Sequence, residues 1–150
     1  MRSLIREYHE MGRNCWIICL LVISSWGTQN AMSQAPVKSP PDRVIAMYFH
    51  RTQRCPTCKM MGGYSEQAVT KGFAKQLADG SVEFRMIDYE KKENAALAQA
   101  YKVKGPALIV AQIRSDKVRQ YKDLEKIWSL VREKDKFIAY VQSNVKEYMD

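Results

Sequence analysis

Two cysteines separated by two residues, Cys55 and Cys58 in "HRTQRCPTCKMMGG", are where this chain could do chemistry. The other two, Cys15 and Cys19, lie near the beginning of the chain. A pair this close in sequence closes a loop too short to stabilise a fold much by restricting the unfolded chain. Its use is therefore chemical: reversible exchange, in which one thiolate attacks a disulfide and the second thiol resolves the mixed disulfide. Arg54, Arg51 and His50 put positive charge on the approach side, and a nearby cation favours the reactive thiolate. Pro56 fits the first position of a helix, where its missing N–H would be unpaired anyway.

The elements that must hold this pair can be read outward from it. "RVIAMYFH", residues 43–50, is an almost unbroken β-branched and aromatic run, the pattern of a central strand buried on both faces. From Cys58 to Asp79 the apolar residues Met61, Val69, Phe73 and Leu77 fall largely four apart, which predicts a helix stopped by Asp79-Gly80. Gly62 and Gly63 fall inside it, and each costs about 1 kcal/mol relative to Ala, so they imply a bend or a close backbone approach. "SVEFRMIDY" alternates at Val82, Phe84 and Met86 before Ile87 and predicts a second strand, parallel to the first. "KENAALAQAYKV" predicts a short helix, "ALIVAQI" (107–113) a third strand, and "DKVRQYK" a shorter fourth after a turn at Ser115 and Asp116. From Asp123 to Asp150 the pattern is helical, with apolar stripes at Leu124, Ile127, Leu130 and Val131, then at Phe137, Ile138, Val141 and Val145, and a break near Arg132 to Asp135.

This order places the cysteines between the C-terminal end of a central strand and the N-terminus of a helix, where open α/β sheets carry their chemistry. Free N–H groups and the helix dipole stabilise an anion there, so Cys55 should ionise below the free value of ~8.5. Cys58, one turn later, should point inward. Cys55 is then the attacking thiolate and Cys58 the resolving thiol.

The remainder bounds the setting. Residues 1–33 follow the order of a secretory signal: a polar stretch with Arg2, Arg6 and Arg13, the apolar "CWIICLLVISSW", then small residues with Ala31 and Ser33 before a cut. Twelve apolar residues fall short of the ~20 of a spanning helix, so stable membrane insertion is not expected once the signal is removed. Residues 34–41 read as a Pro/Ser linker and 42–150 as one domain, expected in the periplasm or outside the cell. The 24 Lys and Arg against 16 Asp and Glu give +8, but they are interleaved, as in "YKDLEKIWSLVREKDKF", which argues for a solvated surface and against nucleic acid.

The sequence of strand, Cys-x-x-Cys, helix, strand ending in Ile-Asp, short helix, then Pro and strand resembles the thioredoxin-like superfamily: an α/β fold with a central mixed sheet flanked by helices, here with a long helical C-terminus. More narrowly, "YFHRTQRCPTCKM" with "YKDLEKIWSLVREKDKFIAYVQSNVKEY" resembles the exported thioredoxin-like family known as the ArsF-type nitrophenyl nitroreductase subunit. The resemblance implies exchange with cysteine-containing exported proteins or a membrane redox partner. It also implies a substrate-guiding loop at Gly105, Pro106 and Ala107, although Pro106 comes one residue early and Ala107 takes the usual place of the proline. Either a one-residue deletion keeps Pro106 in that role or the loop is altered. The buried acid of thioredoxins should fall around Met47 to Phe49, where this chain has none.

No cofactor is expected: the only glycine pair lacks the spacing of a dinucleotide site. A rival reading is a copper(I) carrier using Cys55, Cys58 and Met60, Met61 or His50. Methionines at helical spacing more often fill a core, and His50 fits a hydrogen-bonded histidine at a strand end. Once the signal is removed, two thiolates and one histidine remain, short of a structural zinc site, so no metal is assigned. A third reading is an accessory subunit docking through its C-terminal helices. Trp128 is expected in the core or at an interface.

Overall fold

The computed structural model describes residues 40–150, so the expected signal segment and nearly all of the linker lie outside the described residues. Strand β1 spans Arg43–His50, β2 Val82–Asp88, β3 Ala107–Arg114 and β4 Lys117–Asp123. They form one sheet in the order β2-β1-β3-β4, with β2 parallel to β1 and the other neighbours antiparallel. Helices α1 (Pro56–Gly72), α2 (Ala74–Asp79), α3 (Ala95–Ala100), α4 (Ile127–Leu130) and α5 (Lys134–Glu147) complete the described residues, with a 3-10 turn at Lys92–Asn94 leading into α3. This strand order, with a β-α-β half followed by an antiparallel hairpin and a terminal helix, is the thioredoxin-like fold.

The two-residue period of β1 divides the core. Val44, Ala46 and Tyr48 join Met61, Ala68 and Val69 of α1 and Phe137, Val141 and Val145 of α5. Ile45, Met47 and Phe49 join Ala98 of α3 and Tyr101 on the opposite face. All six interior residues of β1 are buried, which is why the strand reads as an unbroken apolar run. In α5 the fourfold spacing of Phe137, Val141 and Val145 makes one stripe, all of it buried. The β3–β4 turn is built by Ser115 and Asp116 at φ 51° and 60°, a left-handed pair whose twist suits a two-residue hairpin.

The structure corrects the sequence in three places. The single helix expected from Cys58 to Asp79 begins earlier, at Pro56, and is broken at Phe73, whose φ of −135° leaves the helix while its N–H still bonds Val69 O at 2.9 Å. Phe73 is buried, and a Cβ on Gly72 would come within 3.0 Å of Gln142 Cδ, so the break falls where α5 packs closely against the end of α1. Met86 does not follow the expected alternation and is 39% exposed. Trp128 is not in the core, one of the two places expected for it: it is 49% exposed on the short α4.

Candidate functional site

Cys55 is the N-cap of α1, with extended backbone (φ −70°, ψ 160°), and Pro56 follows in the first turn. The cap position leaves the first N–H groups of the helix without intrahelical acceptors. One of them is satisfied by sulfur: Cys58 N–H donates to Cys55 Sγ at 3.1 Å. The two cysteines are joined as a disulfide, with Cα atoms 5.1 Å apart. Cys55 is exposed, whereas Cys58 is only 9% exposed, so the pair presents one sulfur-bearing residue to solvent and keeps the other against the core. An amide donor at 3.1 Å and the end of a 17-residue helix both favour negative charge on Cys55 Sγ.

The turn that delivers Cys55 from β1 is anchored to the end of β2. Thr52 Oγ1 donates to Asp88 Oδ2 at 2.7 Å, Thr52 N–H to Glu90 Oε2 at 3.0 Å, and Arg51 Nε to the Tyr89 hydroxyl at 2.8 Å. Asp88 Oδ1 accepts in turn from Glu90 N–H at 3.1 Å. The Thr52 hydroxyl holds the Asp88 carboxyl below the usual carboxylate range, with the Glu90 N–H adding to the effect. Because the folded value lies below the unfolded one, this contribution to stability is complete above the unfolded value of about 3.9 and is lost as pH falls through the folded value. Asp88→Asn is therefore expected to lower stability at neutral pH and to flatten the acid limb of a stability-against-pH profile. Urea melts from about pH 2 to 6 check this, and parallel wild-type and variant profiles would remove Asp88 from the account.

Beneath the first turn of α1 lies Tyr48, with no exposed surface, whose hydroxyl donates to Cys58 O at 2.8 Å. Burial pushes its pKa up to about 12, against the pull of the Arg54 guanidinium, so it remains a donor at any physiological pH. Arg54 Nη2 reaches the same carbonyl at 3.3 Å, and its guanidinium carbon stands 5.9 Å from the centre of the Tyr48 ring. Tyr48 was hidden in the sequence as one more member of an apolar strand. The signal available was its parity: it shares the face of Val44 and Ala46, toward α1, and a buried tyrosine needs a partner for its hydroxyl.

The other residues singled out from sequence are distributed around this centre. His50 is half-buried, with Nδ1 2.9 Å from Arg51 O and its ring 6.4 Å from that of Tyr48. Ala107 pairs with Phe49, so Gly105 and Pro106 continue past the edge of the sheet from which the cysteine turn departs, and the Gly105–Pro106 peptide is trans. Met61 is fully buried in the α1–α5 core, while Met60 is exposed, so the two methionines do not face one site. Gly62 packs closely against Tyr48 and Arg54, whereas Gly63 has open space at its Cα.

No protein-family model and no curated protein matches the sequence. Solved structures to which the chain is similar include one described as a malarial protein, at 19% identity and TM-score 0.38, covering 61% of this chain and 96% of that one. Another is thioredoxin-2, described as a component of the malaria parasite protein secretion machinery, at 20% identity and TM-score 0.39, covering 61% of this chain and 84% of that one.

Proposed function

We propose that this protein is an exported thiol–disulfide exchange protein in which Cys55 and Cys58 cycle between dithiol and disulfide against cysteines of other exported proteins or a membrane redox partner. The observation that carries the reading is the asymmetry of the pair: an exposed Cys55 whose sulfur accepts an N–H at the start of α1, linked to a buried Cys58. Toward an oxidised client, the Cys55 thiolate attacks one client sulfur and expels the other as a thiolate. Cys58, having lost its proton, then attacks Cys55 Sγ, releasing the second client thiolate. The client gains two electrons and this protein loses them; the same steps in reverse oxidise a client dithiol.

The oxidising direction is favoured by the surroundings. β1 supplies no carboxylate beneath Cys58; its buried polar group is the protonated Tyr48, with the Arg54 cation beside it. With no carboxylate on β1 to disfavour a thiolate and the Arg54 cation held at the Cys58 carbonyl, the reduced form is favoured, and a stabilised reduced form makes a stronger oxidant. The narrower likeness to the ArsF-type family rests on the motif segment together with the C-terminal stretch from Tyr121 to Tyr148 and is consistent with a redox pair, with no nitroreduction implied.

The test is the equilibrium reduction potential of the protein lacking residues 1–33, titrated in defined thiol and disulfide buffers. A single two-electron couple displaced from about −270 mV toward about −120 mV is expected. A potential near the lower figure reverses the proposed direction, and the lack of any clean couple removes the exchange reading.

A further inference from the structure

Gly62 lies one helical turn beyond Cys58 on the buried side of α1. A Cβ built there would overlap Arg54 Nη2 and sit 3.0 Å from Tyr48 Cε1, so the missing side chain is what leaves room for the guanidinium. Within that space Arg54 meets three surfaces: the face of the Tyr48 ring, the Cys58 carbonyl, and the bare backbone of Gly62. The Tyr48 hydroxyl holds the same carbonyl from below at 2.8 Å. Arg54 Nε is buried without a hydrogen-bond partner. Leaving a buried donor unpaired is costly, and an arginine at a chain turn could avoid that by swinging into water. The neighbouring Arg51 and His50 are engaged elsewhere: Arg51, with its side chain 60% exposed, turns to Tyr89 and Glu90, and His50 lies against Arg51 O.

We propose that Gly62 and Tyr48 form a notch that clamps the Arg54 guanidinium against the first turn of α1, fixing a positive charge beside the Cys55–Cys58 pair. Gly62 and Tyr48 are thus positioning residues, acting on the thiols only through Arg54. This deepens the exchange reading and rests on it. A charge held at a half-buried position is screened less than one on a freely moving surface side chain, so it biases the pair toward thiolate more strongly than its place in the sequence alone would.

The test is the ionisation of Cys55 in the reduced protein, followed by thiolate absorbance and alkylation rate against pH. Gly62→Ala is expected to lower the thiolate fraction at neutral pH about tenfold, and Arg54→Met to do the same. Because both act through one cation, the double variant should fall no further than either single one. Arg54→Lys, which keeps the charge without the planar group, should recover only part of the loss. A role confined to packing would shift the thermal melt of Gly62→Ala and leave the titration in place; that result, or additive losses in the double variant, overturns the proposal. If Gly62→Ala does not fold, equal thiolate fractions in wild type and Arg54→Met overturn it instead. Failure of the exchange reading is distinguishable, because it shows in the wild type as the absence of a clean couple, whereas failure of the notch leaves that couple intact.

Discussion

Cys55→Ser is expected to abolish exchange, lowering client turnover by about a thousandfold or more, while Cys58→Ser should still attack a client disulfide and then stop. The difference follows from where the two sulfurs sit. Cys55 is exposed at the cap of α1, with an amide directed at its sulfur, so a client can reach it and negative charge on the sulfur is favoured. A serine hydroxyl in the same place does not ionise at neutral pH, and the buried Cys58 cannot replace it as the point of entry. With Cys58→Ser the first attack proceeds and nothing remains to displace the client, so a covalent adduct approaching one client per molecule accumulates. Non-reducing electrophoresis and intact mass measurement read this directly, and wild-type turnover in either variant would defeat the mechanism. Trapped adducts also identify the partners, so the same variant tests whether they are exported proteins.

Much of this arrangement was legible before any coordinates, for reasons tied to particular residues. β1 was placed to the residue because a strand buried on both faces needs side chains that are apolar on both, and few other elements give six such residues in a row, here between Arg43 and His50. The position of Cys55 followed from β1 and from Pro56, which fits only the start of a helix. The break at Phe73 was not legible: a phenylalanine four residues after Val69 fits a continuing helix, and the Gln142 side chain that packs over Gly72 beside the break comes from far along the chain. The same distance in sequence hid the anchoring of the active turn, since Thr52 and Asp88 are 36 residues apart and both types are common on surfaces. Gly62 carried a partial signal. Its helical position implied a close approach, but the partner, an arginine folded back from the preceding turn, depends on the geometry of the cap.

The largest loss of stability is expected from Phe137→Ala. Phe137 has no exposed surface, and its ring meets that of Tyr64 edge-on at 5.6 Å between centroids, at the junction of α1 and α5. Truncation removes the buried ring and leaves a cavity that α5, held by Val141 and Val145 on the same stripe, can collapse into only in part. Such changes cost about 3–5 kcal/mol, a large share of the roughly 5–15 kcal/mol available to a domain, and a fall in melting temperature on the order of 10–20 °C follows. Phe137→Leu, which keeps much of the volume, should cost less than half as much. The reduction potential tells a further story in these variants. The cysteine pair is set by contacts of the first turn of α1 with Tyr48 and Arg54, whereas Phe137 meets α1 at Tyr64, so the potential should hold constant at temperatures where the variant stays folded. A shifted potential in folded Phe137→Ala would mean that α5 helps to position the cysteines through α1, and a loss of less than about 1 kcal/mol would mean that this core relaxes far more than its burial implies.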